Sequence, residues 1–198
     1  LKKDNSTFIE KRELRRRVLA KSPARLILET HGGYGKLFDA CYRGVPGVVF
    51  EKKKEAATVL ALQRPEWAVY CGDSKQMIGA GLGKLWPFDF IDVDPYGDAL
   101  EVIEALVVGG LTEPRIRFVA NDGMRKCVRL GQAWKIKTLQ EVVADWGIAD
   151  LNKRYLELAQ EKCRRVLDRG GFDLVGWFGY HCGTFMTHYT FEAVRRVS

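Results

Sequence analysis

Short apolar runs alternate along the chain with longer stretches in which apolar residues recur every three or four positions. The runs Arg25–Glu29, Gly47–Glu51, Trp67–Cys71, Phe88–Val93 and Arg115–Ala120 read as buried strands. Between them, Leu37, Phe38, Cys41 and Tyr42 have helical spacing, as do Ala56, Val59 and Leu60 before Arg64-Pro65. Ala99, Leu100, Ile103, Leu106 and Val107 mark a further helix. Leu139, Val142, Val143 and Trp146 fall at i, i+3, i+4 and i+7, and Tyr155 to Leu167 repeats the pattern. Phe172–Phe178 and Phe185–Val194 are strand-like and joined by a Gly-rich turn, the signature of an antiparallel hairpin. At the start, Thr7-x-x-Glu10 matches a capping box, so a basic helix is predicted to about Lys21 with Leu14 and Val18 facing inward.

Strands that alternate with helices imply an α/β architecture: a mostly parallel sheet with helices on both faces and right-handed crossovers. Five such units plus the hairpin predict seven strands, closed by an antiparallel one. The organisation expected is a basic helical extension over 1–24 followed by a single domain over 25–198.

Composition changes this picture little, except in charge. With 46% hydrophobic and 29% charged residues, 198 residues suit one soluble globular domain. The net charge of +7 favours a polyanionic partner. Residues 1 to 17 carry seven Lys or Arg against three acids, and Arg125, Lys126, Arg129, Lys135 and Lys137 form a second cluster free of acids. The five scattered cysteines form no Cys-x-x-Cys pair, which argues against a disulfide framework or a zinc ribbon. With no signal sequence or membrane-length apolar run, a cytoplasmic protein is expected.

The chemistry concentrates where the strands end, the edge at which open α/β sheets hold ligands. Asp92-Val93-Asp94-Pro95-Tyr96-Gly97 puts a carboxylate, outward carbonyls and a flat ring at one strand tip, which suits a planar base bearing an exocyclic amine. Glu29-Thr30-His31-Gly32-Gly33-Tyr34-Gly35 lies between the first strand and its helix, where glycines let backbone approach a ligand. Glu51 ends the second strand 19 residues beyond Gly32, the offset of a ribose-binding acid, and Asp73 follows the third strand, placed to accept from an adenine amine. A carboxylate at Glu29 would repel a pyrophosphate, so the nucleoside expected there carries a cationic or zwitterionic tail. Gly83-Lys84 is no phosphate-binding P-loop, since Ile78 stands where that motif needs glycine and Leu85 where it needs Ser or Thr.

On these residues the chain resembles the class I S-adenosylmethionine-dependent methyltransferases, over nearly its whole length from Arg25 onward. Glu29 to Gly35 matches the acidic-x-Gly-x-Gly-x-Gly motif of that family, with His31 in place of the first glycine. Asp94-Pro95-Tyr96-Gly97 is similar to the Asp-Pro-Phe-Gly of the tRNA guanine-N2 dimethyltransferases, and Phe118-Val119-Ala120-Asn121-Asp122 loosely follows the segment after their fifth strand. The resemblance implies a Rossmann-like methyltransferase fold, S-adenosyl-L-methionine as cofactor, and methylation of an exocyclic amine of a nucleic-acid base. RNA at guanine N2 is favoured and DNA is possible. It places Glu29, His31, Gly32, Gly33, Gly35, Glu51, Asp73 and Asp92 at the cofactor, with burial beneath the site as the alternative for Asp92. Asp94, Pro95 and Tyr96 become the catalytic motif: Asp94 orients the amine and Tyr96 stacks on the base. Tyr180 and His181, just past the sixth strand, with Arg125, Lys126 and Arg129, would bind substrate.

Two other readings stand beside this one. Asp92-x-Asp94 could hold a divalent metal, as in nucleotide-sugar glycosyltransferases. His31 in the glycine loop would also suit a non-catalytic nucleic-acid-binding module on a degenerate fold. His181, Cys182 and His188 read as strand residues and not as a zinc cluster.

Overall fold

The computed structural model describes residues 7–132, 136–146 and 151–197. The apolar runs become strands β1 (Ile27–Glu29), β2 (Gly47–Glu51), β3 (Ala68–Cys71), β4 (Phe90–Val93) and β5 (Arg115–Asp122), and the hairpin becomes β6 (Phe172–Cys182) and β7 (Met186–Arg195). The helices are α1 (Phe8–Lys21), α2 (Lys54–Gln63), α3 (Ser74–Gly79), α4 (Ala99–Gly109), α5 (Arg125–Arg129), α6 (Gln140–Trp146) and α7 (Tyr155–Arg169). The seven strands form one sheet in the order β3-β2-β1-β4-β5-β7-β6. β1 to β5 run parallel, and β7 is antiparallel to both its neighbours.

Alternation along each strand sends side chains to two cores. Leu28, Phe50, Ile91, Val93 and Phe118 meet Ile103, Leu106, Leu158 and Val166 of α4 and α7 on one face. Ile27, Val49, Phe90 and Val119 meet Leu14 of α1, Leu60 of α2, and Phe38, Tyr42 and Trp67 on the other. Fully burying each of these large side chains is worth about 1.5–3 kcal/mol. No helix among the described residues is long and apolar enough to cross a membrane.

Three departures from the sequence pattern bear on the site. Thr7 caps α1 without a side-chain hydrogen bond, so the capping box does not form. The helix expected after β1 forms over residues 36–42, with π-helical geometry over Phe38–Tyr42, before Gly44 and Pro46 return the chain to β2. β5 continues through Asn121 and Asp122, which pair with His188 and Thr187, and β6 runs on past Phe178 to Cys182. Tyr180 and His181 therefore lie within that strand. Leu14 of α1 is buried in the second core and Val18 packs against it, the inward face expected for this helix. Lys135 and the Trp146 side chain lie outside the described residues.

Candidate active site

β1 and β4 are adjacent, with Glu29 level with Asp92, so their carboxyl ends form the switch point of the sheet. His31 reports what converges there. Burial lowers its pKa most, while the charges of Asp94, Glu51, Asp92 and Asp73 pull the other way without overcoming it. Carboxylates at or just past the ends of successive strands are thus near enough for their charges to act on one imidazole. The ring is held by Thr30 Oγ1, 2.9 Å from Nδ1, and Ser74 Oγ, 3.3 Å from Nε2.

The glycine loop is fixed to β2. Gly33 N donates to Glu51 Oε2 at 2.7 Å, and Lys53 N donates to Oε1 at 2.8 Å. A Cβ on Gly32 would come within 2.5 Å of Val49 Cγ2, so only glycine lets the loop lie this close to the strand. Gly33, at φ 53°, faces open space on its other side. Asp73 caps α3 by accepting from Lys75 N at 3.1 Å and pairs with Lys52 Nζ at 3.2 Å.

Two of the expected cofactor residues lie deeper. Glu29 is 1% exposed beneath the loop and paired with Arg64, whose guanidinium sits 4.2 Å from the Phe38 ring centre and 5.0 Å from that of Trp67. Burial outweighs Arg64 and pushes the Glu29 carboxyl up to about 7. Asp92 is fully buried, held by two donors of the Arg15 guanidinium (Nε at 2.8 Å, and Nη2) and by the Tyr42 hydroxyl at 2.6 Å. Its placement is therefore the structural alternative: it anchors α1 and has no surface to offer a ligand.

Asp94 is also covered by α1. Lys11 Nζ donates to both its oxygens, at 2.7 and 2.9 Å. Lys11 and Arg15 are one helical turn apart, a rise of about 6 Å, and Asp94 and Asp92 are two strand residues apart, about 6.6 Å, so the two ion pairs match in spacing. Burial raises the Asp94 carboxyl, but Lys11 and Arg15 together bring it below the ordinary carboxylate range. Both acids of the Asp-x-Asp pair thus carry a protein cation, and a divalent metal there would have to expel two basic side chains. Pro95 is buried, whereas the Tyr96 ring is 89% exposed beside it.

The next strands add side chains that the sequence pattern did not single out. One position beyond the Val93↔Ala120 pair, Asp94 neighbours Asn121, Asn121 pairs with His188, and His188 pairs with Tyr180. This makes a row across β4, β5, β7 and β6. Asn121 and His188 are fully buried. Asn121 lies close enough to Asp94 to help lower it, yet neither amide atom reaches hydrogen-bonding geometry, and neither ring nitrogen of His188 has a partner. Burial, then Arg15 and Lys11, push His188 down to about 4. The Tyr180 ring stacks on His188 at 5.4 Å, and its hydroxyl donates to Glu10 O at 3.3 Å. Polar residues inside an apolar strand pattern were the available signal for Asn121 and His188.

His181 is half-buried, with Nδ1 3.4 Å from Thr187 Oγ1. The α5 cations gather at the β6–β7 turn: Arg125 Nη1 donates to Gly183 O at 3.4 Å and Arg129 Nη1 to Thr184 O at 3.2 Å. Lys126 and Arg129 lie 5.8 and 5.9 Å from the centre of the exposed Phe185 ring. The structure thus draws the loop, Glu51, Asp73 and Asp94 together, and sets Arg125, Lys126, Arg129 and His181 around a separate part of the rim.

No family model matches this chain, and no curated protein does. Solved structures do. Trm1 from Pyrococcus horikoshii, in complex with S-adenosyl-L-methionine, is similar over 94% of this chain and 54% of its own, with TM-score 0.69 and 11% identity. An O-methyltransferase from Bacillus cereus in complex with SAH is similar over 96% of this chain and 82% of its own, with TM-score 0.58 and 14% identity. TYW2 from M. jannaschii, in complex with AdoMet, is similar over 94% and 77%, with TM-score 0.57 and 11% identity. The chain spans about half the length of the Trm1 structure. What these proteins share with it is the fold, the Rossmann-like class I methyltransferase fold with its reversed β7.

Proposed function

We propose that this chain is an S-adenosyl-L-methionine-dependent methyltransferase acting on an exocyclic amine of a nucleic-acid base, with RNA and guanine N2 preferred over DNA. The observation that carries this reading is the succession of Glu51, Asp73 and Asp94 at or just past the ends of β2, β3 and β4, with the Gly33 loop bonded to Glu51, in a methyltransferase fold.

The residues present fit the cofactor. Glu51 is held by two backbone N–H groups and keeps acceptor capacity for a ribose hydroxyl pair. Asp73 stands at the next strand end for the adenine amine, and the open side of Gly33 lets a ligand approach the backbone. Bound there, S-adenosyl-L-methionine supplies an electrophilic methyl group. Asp94 would accept the amine hydrogens, orient the nitrogen lone pair and balance the positive charge that grows on it. Tyr96, exposed beside Asp94, would stack on the base. Arg125, Lys126 and Arg129, beside the exposed Phe185, combine charge with an aromatic face, as single-stranded nucleic-acid sites do. The guanine preference rests on the likeness of Asp94-Pro95-Tyr96-Gly97 to the tRNA guanine-N2 dimethyltransferases.

Incubation with radiolabelled methyl donor and separate pools of tRNA, rRNA and duplex DNA tests the reading. Label should enter RNA, and Asp94→Asn should lower the rate about 10²–10³-fold while calorimetric titration with S-adenosyl-L-methionine stays unchanged. Absence of heat in that titration with the wild-type chain would overturn the proposal.

A further inference from the structure

Four polar side chains lie in one row beneath the start of α1, and the chemistry so far uses only Asp94. Buried polar groups are almost always hydrogen-bonded, so an unpartnered one calls for an explanation. Here both ring nitrogens of His188 and both amide atoms of Asn121 are buried without a completed hydrogen bond, side by side and next to Asp94. They stand on the face of the sheet that α1 covers, where Lys11 caps Asp94 and Tyr180 bonds Glu10 O.

We infer that Asn121 and His188 form, with Asp94, a strip that reads the hydrogen-bonding edge of a guanine base, and that Lys11 holds the place of the base's amine while the strip is covered. This rests on the methyl-transfer reading for its substrate class. The inventory matches group for group. Asp94 only accepts, and Lys11 now satisfies it with an ammonium where an exocyclic amine would otherwise donate. Asn121 Oδ1 would accept the ring N–H. His188 is kept neutral by burial and by two neighbouring cations, so one of its nitrogens donates and would serve the carbonyl oxygen. Adenine has no carbonyl and leaves His188 unpartnered, and a site built to pair a polar group rejects the analogue that lacks it. Beside the Tyr180 end of the row lies a cavity of about 260 Å³ between α1 and β6, lined by Glu13, Leu14, Arg17, Phe178 and Tyr180. The Tyr180 ring lines that cavity and stacks on the His188 ring at 5.4 Å, so it separates the cavity from the rest of the row.

The test uses the whole chain without methyl donor. It carries only three histidines, so with ¹³C-labelled histidine the His188 ring signal is assigned by comparison with His188→Phe. Guanosine and adenosine are titrated into the wild type and into Lys11→Met, which keeps the apolar stem. Guanosine should shift the His188 signal and bind Lys11→Met at least ten-fold tighter than the wild type, and adenosine should do neither. Adding Asn121→Ser to Lys11→Met should reverse the gain. A His188 signal unmoved by guanosine in both proteins, equal binding of adenosine, or an Asn121→Ser variant that binds as well as its parent would overturn the inference. Calorimetry with S-adenosyl-L-methionine is read separately. If guanosine engages the strip and the cofactor does not bind, methyl transfer falls and the strip stands. The reverse outcome removes the strip alone.

Discussion

Replacing Arg15 with methionine would leave the Asp92 carboxylate fully buried with only the Tyr42 hydroxyl to offset its charge. Glu29 lies close enough to feel that charge, which makes the loss worse. Breaking a buried pair from one side costs about 3–5 kcal/mol, because the remaining charge is stranded in low dielectric. Against a total stability of about 5–15 kcal/mol this is a large fraction. At roughly 2–4 °C per kcal/mol for a chain of this size, it corresponds to a Tm lower by about 6–20 °C. Urea unfolding followed by tryptophan fluorescence measures it. Arg15→Met combined with Asp92→Asn should recover most of the loss, since the asparagine is neutral and can still accept from Tyr42. A single variant within about 1 kcal/mol of the parent, or a double variant no more stable than the single, would refute the anchoring role. The double variant also separates structure from binding: it should titrate S-adenosyl-L-methionine as the parent does, and ten-fold weaker binding would return Asp92 to the ligand.

Asp122 makes the stability pH-dependent. Burial first, and Asp98 next, push its carboxyl from 3.8 up to about 7, although Met124 N and the Tyr155 hydroxyl donate to it at 2.7 and 2.8 Å. Between those values the folded chain keeps a proton that the unfolded chain has released, so the contribution of Asp122 to stability is full below 3.8 and is lost as pH rises towards 7. The loss is of order 4 kcal/mol at 1.36 kcal/mol per pH unit. Asp122→Asn should remove this share of the slope and leave that of Glu29, which runs the same way; a slope unchanged by the substitution contradicts the assignment. Charge reversal at Arg125, Lys126 and Arg129 should weaken polynucleotide binding and flatten its salt dependence by about 0.7 for each phosphate no longer neutralised, with cofactor titration unaltered. Binding that stays the same at low salt would remove these residues from the substrate surface.

Much of the fold was legible because strand and helix periods differ and most strands here are buried on both faces. The run Gly47–Glu51 is a strand to the residue, and the closing hairpin was readable from its Gly-rich turn. Strand ends were less so. Asn121 and Asp122 read as a polar stop, yet they continue β5 because β7 supplies ladder partners from residues far along the chain. The helical spacing of Leu37 to Tyr42 was real, but spacing did not show that Phe38–Tyr42 would take π-helical geometry before the return to β2.

By itself, the sequence determined that acids would crown successive parallel strands, since the order of strands, Gly-rich loop and acids is local information. It could not say which acids stay free, because that depends on which cations fold onto them. Arg64 and Arg15 come from α2's end and from α1, and they take Glu29 and Asp92 out of reach of any ligand. The tertiary structure alone decided this, and it also laid Lys11 on Asp94 and left Asn121 and His188 unpaired below it. The physical reason is range: periodicity is a property of neighbours in the chain, whereas the state of a buried charge is set by whatever packs within a few ångströms in space.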